Sequence, residues 1–492
     1  MKRIFRICLV ILIALILTLN YAVVLAAPPS KPGGESGNDG QGSNTSVTHT
    51  GNTEISSDTN NNEMVYSSEK SSENSLLVTG GTSTLTNATI SKTGDADGDN
   101  SDFYGTNAAV LVKEGTLNID GGTVTTNGSH ANGIFAYSKG IINVSNTIIK
   151  TTSNNSGAIM VTGGGTLTAN NVTAETDGNS SAPIRSDRGG GTLVVNGGTY
   201  TSHGTGSPVI YSTADITVNN SMLTSTASEG VVVEGKNSVT LNKVSMEATN
   251  TKLNGNSETY KSIFIYQSMS GDADVGTSSF TAKDSKIINN KGDIIFVTNT
   301  STTIELENNE IINNDSTGGF LKIGAAKWGT SGSNGGTVSL NAKNQKIEGN
   351  IEVDSISTLD FSLSNGSSYT GTINGDNTAK KVSITLDSNS TLTLTGDSYI
   401  TELNNSVEDN SNINLNGYTL HIGEAATTSN DSSVETKTDG SNNSIVESGD
   451  SDSNSLQSYE PIIYVAVAIA VTIVITVVIA IVIDKILKAK RQ

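Results

Sequence analysis

With 492 residues the chain has room for two or three domains, yet only 34% of it is hydrophobic and 4% aromatic, which excludes a large conventional core. Its 48 Asp and Glu against 29 Lys and Arg give a formal net charge of -19, which excludes nucleic-acid binding and favours solubility. The single cysteine, Cys8, lies in an apolar leader, so the body carries no disulfide, thiolate metal site or thiol nucleophile.

In chain order, Lys2, Arg3 and Arg6 precede an apolar run from Ile7 to Leu19, and 24-VLAA-27 offers the small residues a signal peptidase needs. Residues 1–26 therefore read as an export signal. Residues 27–73 are rich in Pro, Gly, Ser, Asn and Glu without periodicity, the composition of a disordered polar linker.

From 74 to 423 the chain repeats. A first strand recurs as 115-GTLNI-119, 140-GIINV-144, 165-GTLTA-169, 191-GTLVV-195, 214-ADITV-218 and 238-SVTL-241, and its anchors Leu117, Ile142, Leu167, Leu193, Ile216 and Val239 are separated by 25, 25, 26, 23 and 23 residues. A second inward position follows seven residues later at Val124, Ile149, Ala174, Tyr200, Leu223, Met246, Ile287 and Ile311. A third strand recurs in 108-AAVLV-112, 133-GIFAY-137, 157-GAIMV-161, 182-APIRS-186, 207-SPVIY-211, 230-GVVVE-234 and 262-SIFIY-266. Three short strands per repeat predict a coil whose strands pair in parallel with those above and below, with few inward positions to fill. Asp120, Ser145, Asn170, Asn196, Asn219 and Asn242 mark the corner between the first two strands, where stacked side chains can bond along the ladder. Insertions at 91–107, 247–260, 267–278 and 324–336 predict loops projecting from the stack.

Residues 424–460 read as an acidic disordered stalk. The apolar stretch 461–483 is long enough for a helix to span a bilayer core of about 30 Å, and the basic residues of 484–492 predict a cytoplasmic tail. That gives the expectation of a single-pass type I protein of the cell membrane with a large extracellular domain.

The segments 101-SDFYGTNAAVLV-112, 187-DRGGGTLVVNGGTY-200, 206-GSPVIYSTADITV-218, 266-YQSMSGDADVG-276 and 328-WGTSGSNGGTVSLNA-342 carry a resemblance to right-handed parallel β-helix proteins of pectin-lyase-like fold. In particular the chain resembles secreted or surface-anchored adhesin-like β-helix proteins of gut Gram-positive bacteria. The resemblance implies an all-β, right-handed parallel β-helix solenoid of about a dozen three-strand coils, to which the hydropathy adds one C-terminal transmembrane helix. It brings no catalytic residues with it.

Enzymes also use this fold, so the chemistry needs its own test. Arg185 and Arg188 flank Asp187 and have the charge to neutralise a uronate, but Met160 and Ile210 align with Arg185 and supply no carboxylate. Asp187 and Asp215 are the acids open to a hydrolase, on different edges of the coil, and His49, His130, His203 and His421 are dispersed. No catalytic residue and no cofactor is assigned. Asp95, Asp97, Asp99 and Asp102, with Gly98 for the bend, are candidate ligands for calcium. The residues following the third strand's inward positions, Leu111, Phe135, Met160, Arg185, Ile210, Val232 and Phe264, form an outward, mostly apolar file and a candidate binding surface. Outward Thr residues are too irregular for ice binding.

The expectation is therefore a non-enzymatic, membrane-anchored surface protein of adhesin type, contacting extracellular glycan or protein. Two alternatives stand beside it: a polysaccharide lyase or glycoside hydrolase, and a self-associating structural component of the cell surface.

Overall fold

The structure is a computed structural model that describes residues 47–255, 257–423 and 444–447. The chain divides into a compact unit, Met1–Glu447, and a second unit, Ser448–Gln492, which lies outside the described residues. The described residues of the first unit form a right-handed parallel β-helix.

Each anchor of the repeat stacks on the next. Leu117 pairs with Ile142, Ile142 with Leu167, Leu167 with Leu193, Leu193 with Ile216 and Ile216 with Val239. All six are buried at 1% exposure or less. The second inward positions stack likewise from Val124 through Tyr200 to Ile311. Alternation explains how so polar a sequence builds a core: in Gly191–Ser202 the residues Leu193, Val195 and Tyr200 turn inward while the Thr and Asn between them face out.

Side-chain ladders hold the corners. Asn196 Nδ2 donates to Asn170 Oδ1 at 3.0 Å, Asn219 Nδ2 to Asn196 Oδ1 at 2.9 Å and Asn242 Nδ2 to Asn219 Oδ1 at 2.9 Å. The left-handed residue is the next one along, Asn146, Asn171, Gly197 or Asn220, with φ between 52° and 71°. A second ladder fixes the turn before the third strand: the Ala131, Ser156 and Ser181 amides donate to the hydroxyls of Ser156, Ser181 and Ser207 at 3.0, 3.0 and 2.8 Å.

That serine ladder corrects the predicted register at one rung. Ile184 pairs with Ile210 and Arg185 with Tyr211, so Tyr211 and not Ile210 belongs to the outward file, and Ile210 joins the core. The doublet Val209-Ile210 reads equally well either way, and the Pro183/Pro208 match suggests the wrong step. The Ser181–Ser207 bond decides it.

The helix also begins earlier than predicted. Gly51–Ile55, Thr59–Asn62 and Val65–Ser68 form a complete rung beneath Asn74–Val78, Thr82–Thr86 and Thr89–Lys92, so residues 51–68 are not linker. Isolated polar strands such as Thr59–Asn62 carry no hydrophobic period, and only the rung above specifies them. At the other end Ser444–Glu447, inside the expected stalk, pairs in parallel with Thr419–Ile422.

The membrane-anchored expectation is corrected as well. No helix among the described residues is long and apolar enough to cross a membrane, and the α-helix they contain, α1 at Asp99–Tyr104, has six residues. The stretch 461–483 that motivated it lies outside the described residues. Hydropathy supplies only the length condition, and spanning further requires a helix that pairs its own amides in lipid. Membrane attachment and the type I location are not carried forward.

The insertions do not project freely. Helix α1 and its flanks lie over the lower third face, where Leu77, Ala108, Leu111, Phe135 and Met160 form a buried cluster and the Thr162 hydroxyl donates to the Phe103 carbonyl at 2.7 Å. Higher up, Trp328 from the 324–335 segment packs with Val232, Phe264 and Phe296, held by Asn334 Nδ2 donating to the Ala326 and Trp328 carbonyls. Leu111, Phe135 and Met160 of the outward file are thus buried, Ile210 belongs to the core, and Arg185, Val232 and Phe264 line a cleft between the covering segments.

Candidate functional site

Between the two covers the third face stays accessible. Arg185 and Tyr211, the polar members of the file, sit here, and Glu234 is two residues along the strand from Val232. The insertions rise around them to leave a cleft of about 920 Å³, lined from one insertion by Asp97, Gly98, Asp99, Asp102 and Phe103 and from the others by Asn254, Gly255, Ser257, Ser268, Ser270, Asp272 and Trp328.

Asp187 occupies the turn after Ile184–Ser186, with its side chain 6% exposed. Its Oδ2 accepts from Arg185 Nη2 at 3.0 Å and its Oδ1 from the Arg188 amide at 3.0 Å. Burial pushes this carboxyl up to about 7; the Arg185 guanidinium opposes the shift, while the nearby Asp272 and Asp102 carboxylates add to it. Arg188 reaches both walls at once: its Nε donates to Asp272 Oδ1 at 2.7 Å and its guanidinium lies 4.0 Å from the centroid of the Phe103 ring. Asp102, from the same helix, is 2.9 Å from His130 Nδ1.

Glu234 is buried at 1% exposure and accepts only from hydroxyls: Tyr211 at 2.6 Å and Tyr266 at 2.9 Å on Oε2, and Ser268 on Oε1. Burial raises its pKa against the pull of those three donors, with Asp272 adding repulsion. Both tyrosines stand well above their usual range, through burial and the Glu234 charge. Beyond them Glu229 pairs with Lys261 at 3.1 Å. Burial alone would raise Glu229, but Lys261 and the Ser228 hydroxyl outweigh it and hold the acid below its usual range. Lys261 Nζ also lies 4.3 Å from the centroid of the Phe264 ring.

The structure therefore unites Arg185, Asp187 and Arg188 with carboxylates the repeat alignment does not supply, because Asp102 and Asp272 come from insertions outside the period. Asp215, the other acid considered for hydrolysis, is exposed on the first face and accepts from Ser238 Oγ at 2.7 Å. Glu234, Tyr266, Asp272 and Trp328 were missed by the sequence reading. The one signal for Glu234 was an acid ending the apolar run 230-GVVVE-234.

The calcium expectation also changes place. Asp95, Asp97, Asp99 and Asp102 do not converge: Asp95 accepts from the Ser129 amide at 2.7 Å, Asp97 is exposed at the cleft mouth, Asp99 starts α1 and Asp102 faces His130. The donor set able to hold a divalent cation among the described residues is Glu175, Asp177 and His203 on the second face, with ligand atoms within 4.8 Å of one another. Lys150 neutralises it, with Nζ 3.0 Å from Glu175 and 3.6 Å from Asp177.

Fold and cleft together define a class: a parallel β-helix with an acidic cleft built by insertions over one face. No protein-family model, no curated protein and no solved structure matches the chain.

Proposed function

We propose that the protein is an extracellular glycan-processing β-helix, a glycoside hydrolase whose reaction takes place in the cleft over the third face. The supporting observation is Asp187: a carboxyl at the cleft wall, partly protonated at neutral pH, placed near the Asp102 and Asp272 carboxylates. Pairs of acids whose surroundings separate their protonation states divide the work of glycoside hydrolysis. Asp187 donates its proton to the leaving glycosidic oxygen, and Asp272, ion-paired with Arg188, faces the positive charge that develops on the sugar. Water adds to the anomeric carbon and returns a proton to Asp187.

A lyase is less well supported, since two of the cations it would direct at a uronate are engaged, Arg188 by Asp272 and Lys261 by Glu229. An extracellular place of action agrees with the resemblance to secreted β-helix proteins, and the acidic body suits a soluble exterior. An adhesin-like role of the bacterial surface proteins it resembles would use the same cleft for binding without turnover.

The test is reducing-end release from a panel of neutral, amino and acidic polysaccharides by the full-length chain. Release from at least one, reduced about 100-fold or more in Asp187→Asn and Asp272→Asn, supports the reading. Absence of release across the panel, or full activity in Asp187→Asn, overturns it.

A further inference from the structure

The proposed reaction leaves open which sugars enter, and the charge of the cleft bears on this. Asp97, Asp102, Asp187, Glu229, Glu234 and Asp272 all line it, whereas Arg185 and Lys261 are the Arg or Lys side chains among its described lining residues. Each of these cations is already paired with a protein carboxylate, at 3.0 Å for Arg185 and 3.1 Å for Lys261. Arg188, just behind the wall, is spent on Asp272 at 2.7 Å. Even with Asp187 protonated, as the proposed reaction requires, the other five carboxylates outnumber Arg185, Lys261 and Arg188, so an incoming uronate meets a net negative cleft.

Glu234 is the opposite case. It is a buried carboxyl group with hydroxyl partners from Tyr211, Tyr266 and Ser268 and with no ion pair among the described residues. Its partner Tyr266 belongs to an aromatic cluster, since Phe264 stacks on Tyr266 with centroids 4.3 Å apart and Trp328 meets Tyr266 edge-on at 5.1 Å. A carboxyl in a cleft that also carries aromatic rings suits a cation over a neutral or anionic group, because charge and ring quadrupole both favour it.

Resting on the glycan-processing reading, we propose that the cleft selects glycans carrying unsubstituted amino groups, N-unsubstituted hexosamines, with Glu234 and the Asp97 side of the mouth as countercharge to the sugar ammonium. Neutral sugars enter without this gain, and uronates are repelled.

The experiment titrates the full-length chain at pH 6 and low salt with three soluble hexasaccharides: glucosamine, N-acetylglucosamine and galacturonate. Glucosamine is expected to bind at least about tenfold more tightly than its N-acetylated counterpart, with the difference shrinking as salt rises, and galacturonate is expected not to bind. Glu234→Gln should abolish the preference. Because a change at a buried residue can unfold the rung, Asp97→Asn at the exposed mouth serves as the second variant and should weaken glucosamine binding and its salt dependence. Equal affinity for the two hexosamines, preference for galacturonate, or no binding of any of the three overturns the inference. Reducing-end release measured on the same oligosaccharides separates it from the hydrolase reading. Selective glucosamine binding without release supports this inference and sinks hydrolysis, whereas release without charge preference does the reverse.

Discussion

At the scale of single residues, the chain spends its few apolar side chains where each is worth most. Ile216 is fully buried between Leu193 and Val239, so Ile216→Asp places an unpaired charge in the stack. A loss of about 4 kcal/mol or more in denaturant unfolding is expected, and an unchanged midpoint would contradict the register. Asp187 makes a prediction in pH. Its folded-state pKa, about 7, lies above the ordinary 3.8, so the fold holds its proton more tightly than the unfolded chain does. Its contribution to stability is therefore greatest below the ordinary value, declines as pH rises towards 7, and is level above. Asp187→Asn should remove that slope from the pH dependence of unfolding. Under the proposed hydrolysis, turnover is expected to fall as pH rises past about 7, read from a pH–rate profile.

At the scale of elements, corners and insertions behave differently. Corner geometry follows from local chemistry: Gly198 has φ 95°, and a Cβ there would lie 2.1 Å from the Val172 carbonyl oxygen. Gly198→Ala should cost about 1–3 kcal/mol, a drop in melting temperature that a surface substitution such as Thr201→Ala should not produce. Insertions depend on tertiary contacts. Arg188 ties α1 to the 267–276 loop through Phe103 and Asp272, so Arg188→Ala should speed hydrogen exchange in both while leaving the anchor strands protected. The Asn corner ladder was legible because its residues recur once per coil, and the stacked bonds from Asn170 to Asn242 are as expected. The cover of Leu111, Phe135 and Met160 by α1 was not legible, since a single six-residue helix carries no periodic signal and its partners lie on other rungs.

At the scale of the β-helical unit, stability is nearly one-dimensional, because each rung pairs only with its neighbours. Gly165 pairs with Gly191, and the strand positions from there to Thr176 face those 26 residues on, so deleting residues 165–190 sets Gly191 in the place of Gly165 and removes one turn without breaking the register. The shortened protein should retain its β-rich circular dichroism spectrum and a cooperative transition. It should lose any glycan-processing activity, since the deletion takes Arg185, Asp187 and Arg188 with it. A chain that collapses would mean that this rung is not interchangeable with its neighbours.

The spacing of Leu, Ile and Val by 23 to 26 residues determined the parallel β-helix, its inward columns and its Asn corners, because a repeated unit announces its own neighbours. It could not determine the rung at 51–68, the placement of Tyr211 rather than Ile210 in the outward file, or the cleft. The first depends on pairing to a rung above it, the second on the Ser181–Ser207 bond. The cleft arises where non-repeating insertions bring Asp102 and Asp272 to Asp187, and contacts between segments up to 85 residues apart, as from Phe103 to Arg188, leave no period in the chain.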